Sequence, residues 1–378
     1  MKKTLKIDII ENYHYVGYDF CNNLFYRLLS KKYNIVQSRQ PDFLFHSVYP
    51  AADQRFQFTD YSCTRILYSS ECVAPNFKLD DYALTFDHID SERHFRLPFF
   101  RYLNIYKYIF REKLDPEKAL KNKKRFCNFV HVNAFTPQTF LRADFFKKLS
   151  KYKQVDSLGP FLNNVGYNAP SFYVIDNIDR YLTPYKFSIS FENTSHKGYT
   201  TEKLMNALLG ATIPIYWGNP DVGFDFNTKC FINCHDFNSF DEVIEHVKEV
   251  DSNDKLWMDY YAQPVFKNNR EPDHFKDEAI EGFLEKIIEK PFPLGKPVAE
   301  YYQLKSFQQK KYCFFYLNNR SRLNYIKGNC RYLEYYSFLF SSVLQFFIVY
   351  FLPQQVAKKC LPLQKFILRV ILRIFRKS

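Results

Sequence analysis

Residues 186–220, KFSISFENTSHKGYTTEKLMNALLGATIPIYWGNP, hold the densest group of side chains with chemistry to offer. An apolar stretch over 187–191 ends in Phe191-Glu192-Asn193, a polar loop follows, and Thr200-Thr201-Glu202-Lys203 opens the next segment. A hydroxyl-rich helix start leaves backbone N–H groups free at the positive end of the helix dipole, which suits an anion such as a diphosphate. Lys203 adds a mobile positive charge for phosphate oxygens. Glu202 can accept hydrogen bonds from vicinal ribose hydroxyls, as acidic residues do for nucleotides in doubly wound folds. These residue types fit a nucleotide-sugar site. They also fit an ordinary capped helix with Glu and Lys on its surface.

Positioning such groups takes a strand on one side and a helix on the other, and the pattern supplies both. The spacing predicts strands over 126–132, 155–158, 187–191 and 212–217, and helices over 140–150, 175–182, 200–209 and 240–250. An earlier series predicts strands over 5–10, 43–48, 65–69 and 82–86, with helices over 18–31 and 101–110. Asp115-Pro116 and the lysine-rich residues 118–124 read as a connector between the two series. Short apolar runs bounded by polar turns suit parallel sheets covered on both faces. Ligands in such sheets bind beyond the carboxyl ends of the strands. The expected architecture is therefore α/β, with two doubly wound, Rossmann-like domains facing a cleft.

The chain has 378 residues, room for two domains and a tail. Its net charge of +13 is concentrated. Residues 294–378 carry 15 of the 53 Lys+Arg and two of the 40 Asp+Glu, which leaves 38 of each sign in residues 1–293. A neutral body argues against a nucleic-acid-binding fold and for a local basic device. The nine cysteines form no CxxC pair and read as reduced thiols, with Cys230, Cys234 and His235 only a weak metal-ligand group. Asp8 and Glu11 interrupt any apolar core at the start, so no export signal is expected there, which supports a cytoplasmic body.

Residues 335–352 carry no charged side chain, a length at the threshold for a membrane span, and Pro353 ends the run. Beyond it, Lys365, Arg369, Arg373 and Arg376 fall on one helical stripe amid Ile, Leu, Val and Phe. Seven basic and no acidic residues between 358 and 378 favour an anionic bilayer surface over a solvated helix. A full span would carry that charge across the membrane against the positive-inside tendency, so an interfacial tail is the expectation.

The signature segment resembles that of the inverting α-1,3/4-fucosyltransferases, including the Helicobacter-type Lewis-antigen enzymes. The likeness rests on Phe191, Glu192, Asn193, Thr194, Tyr199, Thr201, Glu202, Lys203, Pro214, Gly218 and Pro220, and continues through residues 231–241. Upstream, Tyr68-Ser69-Ser70-Glu71, then Pro75-Asn76-Phe77 and residues 81–87, are similar to the family's acceptor-domain motif, although Ser70 and Cys72 replace its commoner Gly and Asn. The expected division is an acceptor domain over 1–118, a GDP-fucose domain over 119–293, a basic connector over 294–334 and a membrane-associating tail over 335–378, and the resemblance implies a GT-B arrangement of the two domains. It implies Glu71 as general base, and Arg142, Glu192, Asn193, Tyr199, Thr201, Glu202 and Lys203 around the donor. Leu162 stands where bacterial relatives place a diphosphate arginine.

The implied reaction moves L-fucose from GDP-β-L-fucose to a GlcNAc or Glc hydroxyl of a lactosamine-type glycan, in lipopolysaccharide or other surface-glycan synthesis. No cofactor or metal is required by that resemblance, and a divalent cation would be at most stimulatory. The tail would hold the enzyme at the cytoplasmic side of a bacterial inner membrane, with no nucleic-acid partner. The alternatives are another GDP-sugar transferase on the same fold and a non-catalytic glycan- or membrane-binding relative.

Overall fold

The computed structural model describes residues 2–10, 20–47, 58, 61–77, 80–132, 137–170 and 172–289. The expected connector and tail over 294–378, with the uncharged run and the basic stripe, lie outside the described residues. Among those described, no helix is long and apolar enough to cross a membrane.

The first series forms β1 (Thr4–Ile10), α1 (Leu24–Leu29), β2 (Asn34–Gln37), β3 (Phe43–His46), β4 (Thr64–Tyr68), β5 (Tyr82–Thr85) and β6 (His94–Arg96). These strands make one parallel sheet in the order β2-β1-β3-β4-β5-β6. Strands β3, β4 and β5 are buried along their whole length, His46 and Arg65 included, as strands of a parallel sheet covered on both faces are. Two strands were not anticipated. β2 is mostly exposed at the sheet edge, and β6 has only three residues, so neither carries a long apolar run.

The helix expected over 101–110 is broken. Phe99–Tyr102 forms α2, Leu103 turns extended (ψ 138°), and Asn104–Phe110 continues as a 3-10 helix. The break lets Phe100, Ile105 and Tyr106 reach one apolar cluster shared with the second domain. The expected connector contains a helix, α3 (Pro116–Lys121), capped by the Asp115 carboxylate with Pro116 in its first turn. The helix expected over 18–31 is likewise shorter, because Asn23 caps α1 after a 3-10 turn over Phe20–Asn22.

The second series gives β7 (Arg125–Phe129), α4 (Pro137–Ser150), β8 (Val155–Ser157), α5 (Ile175–Tyr181), β9 (Tyr185–Phe191), α6 (Glu202–Leu209), β10 (Ile213–Trp217), β11 (Ile232–Asn233), α7 (Phe240–Ser252), α8 (Asp254–Ala262) and α9 (Asp277–Glu289). Its parallel sheet runs β11-β10-β9-β7-β8. The strand order reverses beside β7, which is flanked by β9 and β8, so a crevice opens beyond the ends of β7 and β9.

The division between domains is not a single cut. Helix α9, on sequence grounds part of the second domain, packs on the first sheet. Ile280, Leu284, Ile287 and Ile288 join the cluster of Leu5, Phe25, Phe45 and Leu84. Its charged face pairs with the same domain through Lys32–Glu285 (2.6 Å), Lys31–Glu281 and Lys286–Glu92 (3.2 Å). A largely buried ion pair also joins the two domains. Arg96, at the end of β6, gives two hydrogen bonds to Asp225 (2.7 and 2.6 Å), one to the Phe86 carbonyl (3.1 Å) and a longer one to the Gly198 carbonyl (3.4 Å).

Candidate active site

Strand β9 carries the signature into the crevice. Phe187, Ile189 and Phe191 fill one side, while the Ser188 hydroxyl bonds Asn128 of β7 (2.8 Å) on the other. The strand's last backbone bond runs from Glu192 N–H to the Trp217 carbonyl (2.8 Å), so the next side chains stand at the strand ends. The Glu192 carboxylate is fully buried. It accepts from the Thr201 backbone N–H and hydroxyl, both at 2.6 Å, and Lys203 Nζ lies 3.4 Å away. Burial raises its pKa against the pull of Lys203. Gly218 is needed beside it: a Cβ there would lie 2.4 Å from Glu192 Cγ.

Thr201 is the N-cap of α6 by backbone position, yet its hydroxyl serves Glu192 instead of its own helix. The mobile lysine expected from sequence is pinned. Lys203 Nζ donates to the Thr201 hydroxyl (2.9 Å) and to Glu202 (3.0 Å). Burial would lower the Lys203 pKa, but the two carboxylates raise it. Burial pushes Glu202 up, and the charge and hydrogen bonds of Lys203 hold it below the ordinary carboxylate value. Arg142, on α4, is buried and bonds the Phe191 carbonyl (3.0 Å). Burial lowers its pKa while Glu192, Tyr199, Glu202 and Glu71 pull it up.

The first domain meets this cluster through Glu71, just beyond β4. Its backbone is fixed in a turn: Ser69 Oγ donates to the Glu71 carbonyl (2.8 Å), and Val73 N–H reaches the same oxygen (2.7 Å). Asn193 Nδ2 donates to Glu71 Oε2 at 2.8 Å, across 122 residues of sequence. Tyr199 is buried between the domains with its ring edge on Phe86 (4.9 Å). Burial, then the charges of Glu71 and Glu192, push its phenol well above the ordinary value. Gly198 has φ +79°, and a Cβ there would lie 2.4 Å from the Phe86 carbonyl oxygen. The signature loop therefore touches the first domain backbone to backbone.

All eight candidate residues thus come together at the strand ends. Sequence reasoning missed Asn219, which is fully buried and ties the loop together. Its carbonyl oxygen accepts from Gly198 N–H (2.8 Å), and its amide donates to the Thr200 hydroxyl (3.1 Å). The signal was an Asn in a Gly-Asn-Pro turn, a type that bonds nearby backbone. His131, beyond β7, was missed too. It is buried near Arg142 and Lys203, and burial and those charges push its pKa well below the ordinary value.

Leu162 has a left-handed backbone (φ +55°) and its side chain packs on the second core. Asn163 and Asn164 hold that loop, with Asn164 bonding Ser157 N–H and the Val155 carbonyl, each at 2.8 Å. Cys230 and Cys234 are buried, burial raises both thiols, and His235 faces the Gly218 carbonyl (3.2 Å). No group able to hold a metal ion is found among the described residues.

A carboxylate at one domain's edge, opposite a buried arginine, a part-buried lysine and a helix start on the other, can deprotonate a hydroxyl beside a leaving anion. The family model described as Glycosyltransferase family 10 (fucosyltransferase) C-term matches residues 120–278. A second, Alpha-(1,3)-fucosyltransferase FucT N-terminal domain, matches residues 10–103. The chain is 32% identical over 282 residues to the Alpha-(1,3)-fucosyltransferase FucT of Helicobacter pylori, covering 65% of this chain and 57% of that protein. It is 33% identical over 143 residues to the 4-galactosyl-N-acetylglucosaminide 3-alpha-L-fucosyltransferase 9 of Bos taurus, covering 37% of each. The chain therefore spans less than two thirds of the length of these curated relatives. A crystal structure of an alpha1,3-fucosyltransferase with GDP-fucose superposes with a TM-score of 0.62 at 27% identity, covering 77% of this chain and 92% of that one.

Proposed function

The chain belongs to glycosyltransferase family 10, and from that premise we propose that it transfers L-fucose from GDP-β-L-fucose, with inversion, to a GlcNAc or Glc hydroxyl of a lactosamine-type glycan. The observation that carries the reading is the Asn193–Glu71 hydrogen bond, which sets the first domain's carboxylate beside the second domain's cations. Glu71 takes the proton of the acceptor hydroxyl as its oxygen attacks the anomeric carbon. The bond from that carbon to the phosphate oxygen breaks on the opposite face, and GDP leaves. Asn193 orients the base. Lys203, Arg142 and the start of α6 stabilise the charge that builds on the leaving diphosphate.

Glu202 faces the ribose, and Thr201 and Tyr199 frame the donor. Glu192 contributes by holding Thr201 and Lys203 in place. No cofactor is required, and a divalent cation is at most stimulatory. The acceptor belongs to lipopolysaccharide or another surface glycan at the cytoplasmic face of a bacterial inner membrane. The basic residues 358–378 support that placement, since they suit an anionic bilayer. Removing them should release the protein from anionic vesicles and leave transfer intact; continued binding would assign their charge elsewhere.

The test of the reaction is to supply GDP-fucose with a panel of lactosamine-type acceptors and map the linkage formed. An α-1,3 or α-1,4 fucoside is the expected product. Turnover of GDP-mannose without turnover of GDP-fucose would overturn the choice of donor and favour another GDP-sugar transferase.

A further inference from the structure

A groove of about 760 Å³ opens between the domains on the β10–β11 side of the signature loop. It is distinct from the cluster around Lys203 and shares none of the eight candidate residues. Its most exposed apolar group is Phe224, 58% exposed although Val222 and Phe226 on either side are buried. The ring is held in place. His88, from the first domain, stands edge-on to it at 4.7 Å, and the Arg96 guanidinium lies 5.4 Å from its centre.

Polar groups surround this ring. Asp87 comes from the first domain, and Asp221, Asn233 and Asp236 come from the second. Lys197 is the lining cation, and Asp221 neutralises it at 3.3 Å. Three carboxylates around one paired lysine repel a phosphate, so the groove does not suit the nucleotide. Carboxylate and amide oxygens accept from hydroxyls, and the electron-rich ring face attracts polarised C–H groups. That combination suits a neutral saccharide.

The groove's position agrees. Its first-domain wall, Asp87 and His88, follows Phe86, whose ring meets Tyr199 at 4.9 Å and His196 at 5.5 Å. The Asp87 charge acts on the thiol of Cys72, the neighbour of Glu71. We infer that the groove is an extended acceptor subsite, which binds the sugar residues beyond the one fucosylated, with Phe224 as its platform. The inference rests on the fucosyl-transfer reading.

The experiment compares a lactosamine disaccharide with tetrasaccharides that extend it at either end. Phe224→Ala should raise KM for one extended acceptor about three- to ten-fold, the weight of one aromatic contact. KM for the disaccharide and for GDP-fucose should stay within about two-fold of the native values, a change worth little on the same scale. Asp221→Ala should give a smaller shift of the same selectivity, and Phe224→Tyr should restore native behaviour. Equal shifts for short and long acceptors, or no shift, would overturn the subsite.

Saturation-transfer NMR with GDP and the tetrasaccharide, without donor, separates the two claims. Loss of glycan contact in Phe224→Ala supports the groove even if no fucose is transferred, in which case only the reaction fails. Transfer with no Phe224-dependent glycan contact sinks the groove and leaves the reaction standing.

Discussion

Glu192 and Glu71 are the two carboxylates at the heart of the cleft, and they are built in opposite ways. Glu192 belongs to the segment richest in polar side chains, and that wealth is spent inward: Thr201 and Lys203 occupy its oxygens and it has no solvent exposure. Glu71 comes from a sparser motif, is only half-buried and takes its orientation from an amide of the other domain. The density of a polar pattern therefore marks where a site is constructed. On the proposed mechanism the reacting group comes from the thinner one.

The contrast breaks most visibly at Glu71. Glu71→Gln should lower kcat at least about 100-fold, the usual weight of a general base, while GDP affinity by calorimetry stays native. A variant with native turnover would return the two carboxylates to equal standing.

Acid offers a second separation. His94, buried in the first domain against the Thr85 hydroxyl (2.9 Å), has its pKa lowered by burial from 6.5 to about 4. Between those values the unfolded chain binds the proton and the folded chain does not. The stability of this region is therefore complete above pH 6.5 and falls as pH drops toward 4, by on the order of 3 kcal/mol. Denaturant unfolding across that range checks it, and His94→Gln should flatten the slope.

The smallest effect sharpens the Glu192 side. Glu192→Gln keeps the shape but removes the charge facing Lys203, and should cost about 1–2 kcal/mol of stability. Its kcat should fall much less than that of Glu71→Gln. A loss of turnover as large as at Glu71, with unfolding unchanged, would make Glu192 a reacting group and not a support.

The central strands were legible because β3, β4, β5, β9 and β10 each hold a short core of apolar residues and are almost wholly buried, with Lys186 of β9 the one part-exposed residue among them. Edge strands β2 and β6 lack that run, and α3 was concealed by its lysines although Asp115-Pro116 is a helix start. Residue types in the signature could be read from their spacing. Their partners could not, because the Asn193–Glu71 bond and the burial of Glu192 depend on residues far apart in the chain. Asn219 was hidden for the same reason, since a turn-forming Asn is usually exposed.

The return of α9 to the first sheet has a consequence for biosynthesis. The domain that leaves the ribosome first lacks part of its core until Ile280–Ile288 have been made, after the whole second domain. At about 5–20 residues per second, that interval lasts roughly ten to forty seconds. During it the apolar face awaiting Leu284 and Ile287 is open to chaperones and to other nascent chains. A truncation before residue 277 would make that exposure permanent, so the first half should not be recoverable as a soluble fragment unless α9 is grafted back onto it.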